Sequence, residues 1–235
     1  MNRGAIRSIA RDLIRQEDTD NTDFSDNELN NYIDEGCRLL ATIVQYPRDE
    51  VDYQAQSNVG AFTVPEDYIL LRSASFGDVS IGGDKSPLRT MTKEQLTAER
   101  PYWRDETSDN TGKPLRIIEL DRNTLYIDPR PSAEESASGK KLTVEYVYSP
   151  AQMSNDTDVP ELPIVYHDLI PEYVQSKCYN GKLNRPADGA SIFKNMIDKA
   201  KTLEPVVASD LERKSMFWET RDDFENYTDG ELFFK

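Results

Sequence analysis

The single histidine of the 235-residue chain, His167, lies in DVPELPIVYHDLIPEYV (158–174), with Asp168 beside it and three prolines around it. An imidazole next to a carboxylate is the beginning of a general base, but that work needs a substrate group or nucleophile within hydrogen-bond reach. No serine or cysteine nucleophile motif accompanies the pair, so His167 reads first as a helix-start or packing residue. Asp121, Asp128 and Glu145 lie on or near strand patterns and suggest the carboxylate pair of a glycosidase. Against that use, Asp128-Pro129 reads as a strand-ending turn and Glu145 falls on the polar side of an alternating strand, so structural roles are expected.

The remaining chemical candidates are weaker. Cys37 and Cys178 each sit in a helical pattern, outside any CxxC or Cys/His cluster with zinc-ligand spacing, and read as buried thiols of a reducing compartment. SIGGDKS (80–86) lacks both the G-x-x-x-x-G-K-[ST] spacing and a following helix, and reads as a hairpin turn. In ERPYWRDETSDNTGKP (99–114), Tyr102 and Trp103 beside Arg100 and Arg104 suggest base stacking. The acids around them favour Trp103 as an anchor of the fold or of a subunit contact. No catalytic, cofactor-binding or metal-ligating residue is assigned, and no cofactor is expected.

The elements that must position these residues begin with a helix at about 3–16, where Ile6, Ile9, Leu13 and Ile14 return at three- and four-residue steps. Arg3, Arg7, Arg11 and Arg15 form a second stripe on it, either a solvated face or a docking surface for an acidic partner. A second helix opens at FSDNEL: Ser25 caps it, Glu28 completes a capping box and Phe24 can staple onto Leu29. Leu29, Tyr32, Ile33, Leu40, Ile43 and Val44 line one side of it up to Pro47, making an α-hairpin with the first helix.

From about Val51 the texture becomes strand-like. AFTVPEDYILLRSASFGD reads as two strands around a turn, PLRTMTKEQLTAERPYWR holds a short helix after Thr92, and PLRIIEL with TLYIDP flanks the turn 121–123. KLTVEYVYSP alternates, with Leu142, Val144, Tyr146 and Tyr148 on one face. RPSAEESASGKK reads as a polar, mobile hairpin tip. After Pro163 the helical period returns; Pro171 should kink or split the segment near His167, and Ile192, Phe193, Met196, Ile197 and Ala200 mark a further helix, bent or broken at Pro205.

The last twenty residues set Phe217, Trp218, Phe224, Tyr227, Phe233 and Phe234 among six carboxylates, a segment that needs another surface to cover its aromatics. The expected fold class is α+β. A helical bundle body is built from the N-terminal α-hairpin (1–47) and C-terminal helices (163–215), with a small antiparallel β domain inserted at 48–162 and an extended arm at 216–235.

Charge narrows the function classes. With 28 Lys+Arg against 43 Asp+Glu the net charge is -15, which disfavours general attraction to DNA, RNA or an anionic membrane. MNRGAIRSIARDLIRQE lacks the apolar core of a signal peptide, and no run is long enough to span a bilayer, so synthesis and residence in cytosol are expected.

The order of these motifs, FTVPEDYILLRSASF, RPYWR, GKPLRIIEL, TLYIDPRP and LTVEYVYSPAQMSNDTDVPELPIVYHDLIPEYV between a two-helix start and closing helices, resembles the head-to-tail adaptor (connector) proteins of tailed bacteriophages. The resemblance is especially to those of short-tailed phages and covers about residues 1–215. The resemblance implies a dodecameric ring docked under the portal protein, in the neck of a virion assembled in the bacterial host cytoplasm. Such a ring extends the channel for genomic DNA, which passes without sequence-specific binding, and carries the tail nozzle or tail-fibre proteins below. It implies a carboxy-terminal extension reaching the portal or a neighbouring subunit, a role suited to the aromatic arm, and no catalytic residues.

Rings use heterologous interfaces completed by exchanged arms and aromatic anchors. An acidic channel wall lets DNA slide. The stripe Arg3, Arg7, Arg11 and Arg15 is expected at a subunit contact. Other readings are a tail-tube, stopper or baseplate component, or a carbohydrate-active enzyme built on the β insertion.

Overall fold

The computed structural model describes residues 1–15, 24–78, 85–104, 110–137 and 139–203. The chain divides into two compact units, Met1–Val44 with Gln152–Lys235, and Gln45–Ala151. The first two helices are α1 (Arg3–Arg15) and α2 (Asp26–Val44). The strands β1 (Arg48–Gln54), β2 (Ala61–Thr63), β3 (Tyr68–Gly77), β4 (Lys85–Pro87) and β5 (Arg89–Met91) lead to α3 (Lys93–Glu99). Then come β6 (Thr111–Gly112), β7 (Arg116–Asp121), β8 (Thr124–Asp128), β9 (Arg130–Pro131), α4 (Ala133–Ala137) and β10 (Lys141–Tyr148). A 3-10 turn (Ile164–Tyr166), α5 (Leu169–Asn180) and α6, helical over 186–203, complete the order.

In the helical unit, burial follows the helical period. Ile6, Ala10 and Ile14 of α1, Ile33, Cys37, Leu40 and Val44 of α2, Ile170, Val174 and Cys178 of α5, and Met196 and Ala200 of α6 are all buried. The start of α2 is the capping box read from the sequence: the Glu28 amide donates to Ser25 Oγ at 3.3 Å and the Ser25 amide donates to Glu28 Oε2 at 3.0 Å. Gly36 lets α2 and α5 approach closely, since a Cβ there would stand 2.8 Å from Cδ1 of Tyr173. Pro171 falls in the first turn of α5, where its missing N–H costs no helical hydrogen bond, and the chain is split just ahead of it into the 3-10 turn and α5.

Among the described residues the strand unit holds ten strands in three sheets, ordered β1-β10-β3-β4, β2-β8-β7-β5 and β6-β9. Phe76, Leu142 and Val144 of the first sheet share one hydrophobic cluster with Phe62, Ile117, Leu125 and Ile127 of the second. Alternation on β7 and β8 sends Ile118 and Tyr126 to the other face, where they pack with Met91, Leu96 and Trp103. A strand buried on both faces reads as a continuous apolar run, which is why RIIEL and TLYID show so little polar interruption.

The expected helical bundle with a small antiparallel insertion is therefore wrong. The protein is a mixed α/β molecule whose strands dominate the core. The sheets are not purely antiparallel either, because β5 pairs with β7 and β6 with β9 in parallel. The expected polar hairpin tip at RPSAEESASGKK is likewise corrected: Arg130 and Pro131 are a buried strand and Ala133–Ala137 a helical turn, with Ser132 Oγ accepting from the Glu135 amide at 3.3 Å. Strand β10 is central in its sheet and buried on both faces, with Thr143 and Val147 as covered as Leu142 and Val144. Its strict alternation in the sequence thus does not mark a wet face.

Candidate functional site

A repeat of four residues puts Arg3, Arg7 and Arg11 on one face of α1. The buried Arg3 donates to the carbonyls of Met153 and Ser154, the latter at 2.8 Å, and reaches Asp156 at 3.4 Å. Arg7 forks onto the two oxygens of Asp156 at 3.0 and 2.6 Å, and its Nη1 also donates to Asn30 Oδ1 at 3.0 Å. Arg11 closes on Asp26 at 2.6 Å and on the Phe24 carbonyl at 3.0 Å.

The same loop caps α1. Its first amides, those of Arg3 and Gly4, donate to the carbonyls of Asp158 and Asp156 at 2.8 and 3.0 Å. Asp158 in turn accepts from the Ser154 and Asn155 amides at 2.8 and 2.7 Å. The hydrogen bond from Arg7 holds the Asp156 carboxyl below its ordinary range, and the same bond raises the Arg7 guanidinium.

Arg3, Arg7 and Arg11 thus have their partners within the chain, on the 153–158 loop and the start of α2. Asp156 and Asp26 are the residues that sequence reasoning passed over; the run SNDTD and the acidic first turn of α2 were the signals available. The side chain of Arg15 lies outside the described residues, as do Phe217, Trp218, Phe224, Tyr227, Phe233 and Phe234. Pro205 and most of SIGGDKS lie outside them too.

The catalytic candidates are separated and held in structural contacts. His167 is buried; its Nε2 donates to the Leu162 carbonyl at 2.8 Å, and its Nδ1 stands 2.9 Å from the Met1 amino group. Burial lowers its pKa, so the neutral ring is favoured at the start of α5. Asp121 accepts from the Asn123 amide at 2.9 Å and shapes the β7–β8 turn. Asp128, 1% exposed, takes Arg100 at 2.9 Å and Arg116 at 3.3 Å. Glu145 stands on β10, in a different sheet, with Ser73 Oγ donating to it at 2.8 Å and Arg48 3.5 Å away.

Trp103 is an anchor of the strand unit. It is buried, meets Tyr126 edge-on at 4.9 Å, donates from Nε1 to Thr97 Oγ1 at 3.1 Å, and carries the Arg104 guanidinium 4.8 Å above its ring. Its neighbour Tyr102 is 78% exposed. Burial pushes both thiols, Cys37 and Cys178, up to about 12, the state of inert core cysteines. Among the described residues no group of three or more His, Cys, Asp or Glu could hold a metal ion, and no helix is long and apolar enough to cross a membrane.

This geometry is one of internal ties rather than of convergent reactive groups. Comparison with known proteins agrees in kind: the family model described as SU10 adaptor protein matches residues 3–214. No curated protein matches the chain.

Proposed function

The chain belongs to the SU10 adaptor protein family and is a structural adaptor of a bacteriophage particle, and from that premise we propose that it forms a ring under the portal, joining the DNA channel of the head to the tail. The observation that carries this reading is the extent of the match, which takes in both compact units. We place the ring in the neck of a short-tailed virion, with twelve subunits as the resemblance implies, and with nozzle or fibre proteins below it.

Three features support it. The net charge of -15 suits a wall along which DNA passes without sticking. The aromatic and acidic segment 216–235 supplies anchors of the kind that dominate interfaces, and its role here is docking to the portal or to a neighbouring subunit. Arg3, Arg7 and Arg11 contribute to a ring by fixing the 153–158 loop and the α1–α2 hairpin, so that a neighbour meets a rigid surface.

Particle assembly with this chain withheld tests the reading. DNA-filled heads without tails are expected, and complete tailed particles would overturn it. Deleting 216–235 is expected to leave a folded monomer that fails to enter the particle; normal incorporation would remove the arm as the main docking element. A tail-tube, stopper or baseplate position differs from this reading in its partner, a tail protein in place of the portal.

A further inference from the structure

The helical unit carries an apolar face that its own described residues leave open. Two adjoining depressions of about 400 and 600 Å³ run along α5, one bordered by Ile9 of α1 and the other by Val165 of the 3-10 turn and Leu203 of α6. Ile9 is 40% exposed, Val165 42%, and Ile164 beside it 74%. Isolated exposed apolar residues need no explanation, but Ile9 and Val165 border depressions that Leu13, Leu169, Pro171 and Ile192 also line, and such an apolar run marks a surface built to be covered.

The polar residues of the groove restrict what can cover it. Asp168, Glu172 and Asp198 lie along it. Glu172 is neutralised by Lys199 at 2.5 Å, while Asp168 and Asp198 have no ion-pair partner among the described residues. A second copy laid on the same face would bring these carboxylates together, a like-charge penalty. The segment 216–235 carries six carboxylates against one arginine and one lysine, so it faces the same repulsion. A nucleic acid backbone is repelled for the same reason.

We propose that the α1–α5–α6 face is a docking groove for a cationic amphipathic helix of a partner protein. The apolar floor takes the hydrophobic stripe of that helix, and Asp168 and Asp198 meet lysine or arginine residues flanking the stripe. From Leu169 to Gln175 the groove follows about seven residues of α5, roughly 10 Å, which matches about two turns of a docked helix. The inference rests on the adaptor reading only for the kind of protein that carries the helix, a portal or tail component.

The test uses the full chain and two fluorescein-labelled helical peptides of about 14 residues, with leucine on one face and either lysine or glutamate elsewhere. Anisotropy titrations are expected to show binding of the lysine peptide and none of the glutamate peptide. Val165→Asn and Asp198→Lys should each weaken binding about tenfold, whereas Glu66→Lys, the same charge change on an exposed site of the other unit, should alter it less than about twofold. Both groove positions are exposed, and circular dichroism checks that the fold persists.

Equal weakening by Glu66→Lys and Asp198→Lys would reduce the effect to net charge and overturn the proposal, as would equal binding of the two peptides or binding of neither. An affinity raised about tenfold by removing 204–235 would show the groove to be filled by the chain's own end, and would also overturn it. Groove-dependent peptide binding in a protein that adds nothing to portal rings would sustain the groove and remove the neck placement.

Discussion

The two units put the same chemical pair, arginine with aspartate, to different use. In the helical unit Arg7 and Arg11 close on Asp156 and Asp26, acids whose side chains are 54% and 60% exposed. In the strand unit Arg100 and Arg116 close on Asp128, which is 1% exposed. Water screens the first set, so those pairs fix the position of a loop while adding little to stability. The second set sits where an uncompensated charge is expensive, so losing one partner threatens the unit. What the contrast teaches is that visibility in the sequence and energetic weight run in opposite directions here. The Arg7 and Arg11 pairs of the arginine stripe are conspicuous and cheap to break, whereas the cluster around the buried Asp128 is assembled from positions 28 and 12 residues apart and is costly to break.

The largest effect should therefore come from Asp128→Ala. It leaves Arg100 with Asn110 and Arg116 with Glu99 as remaining partners beside the space vacated by the carboxylate, and the expected loss is about 3 kcal/mol, read as a lowered midpoint in urea unfolding. A loss no greater than that from breaking an exposed pair would collapse the contrast between the units. Next comes Gly36→Ala in the helical unit, where steric conflict with Tyr173, rather than charge, sets the penalty. Overpacking against the gain in helix propensity leaves a net loss of about 1–2 kcal/mol. Gly112→Ala in the strand unit, where the nearest atom would be Pro129 Cγ at 3.5 Å, is the near-neutral counterpart. Should the two glycines behave alike, close helix approach at Gly36 is not what organises the helical unit.

Ser25→Ala sharpens the picture of that unit further, removing a cap at a cost of about 1 kcal/mol. It should also raise the Glu28 carboxyl, now lowered to about 2 by Lys182 first and by Ser25 next, which a side-chain NMR titration can follow. The smallest effect belongs to Asp156→Asn. Because Arg7 depresses the folded-state pKa of Asp156, its stabilisation is present above the ordinary value of 3.8 and is lost as pH falls through the depressed one. The stability difference between the parent and Asp156→Asn should shrink over that acid range and also shrink with added salt. A difference that survives both would mean that the exposed pairs carry more than loop placement.

Local signals in the sequence translated well into elements. The capping box at Ser25, the short helix after Thr92, the helices α1 and α2, and the β7–β8 hairpin around 121–123 are all present, because each is set by neighbours within a turn or two. What could not be read was pairing between distant segments. A parallel pair as short as β5 with β7 or β6 with β9 has no room for a hydrophobic period, and Arg130-Pro131 looks like loop chemistry until its burial is known. The weight of the strands in the core was missed for the same reason, since sheet-on-sheet packing is made by Phe62, Phe76, Leu125 and Leu142 from four separate stretches. At the arginine stripe the helical spacing was legible, but the acids that receive it were not, because Asp156 lies about 150 positions away.

The most direct test of the structural-adaptor account is electron microscopy of portal rings, purified from the same phage, with and without this protein. The account predicts an added symmetric tier at the narrow end of the portal. Portal rings left unchanged beside a free chain would contradict it and move the protein to another part of the particle.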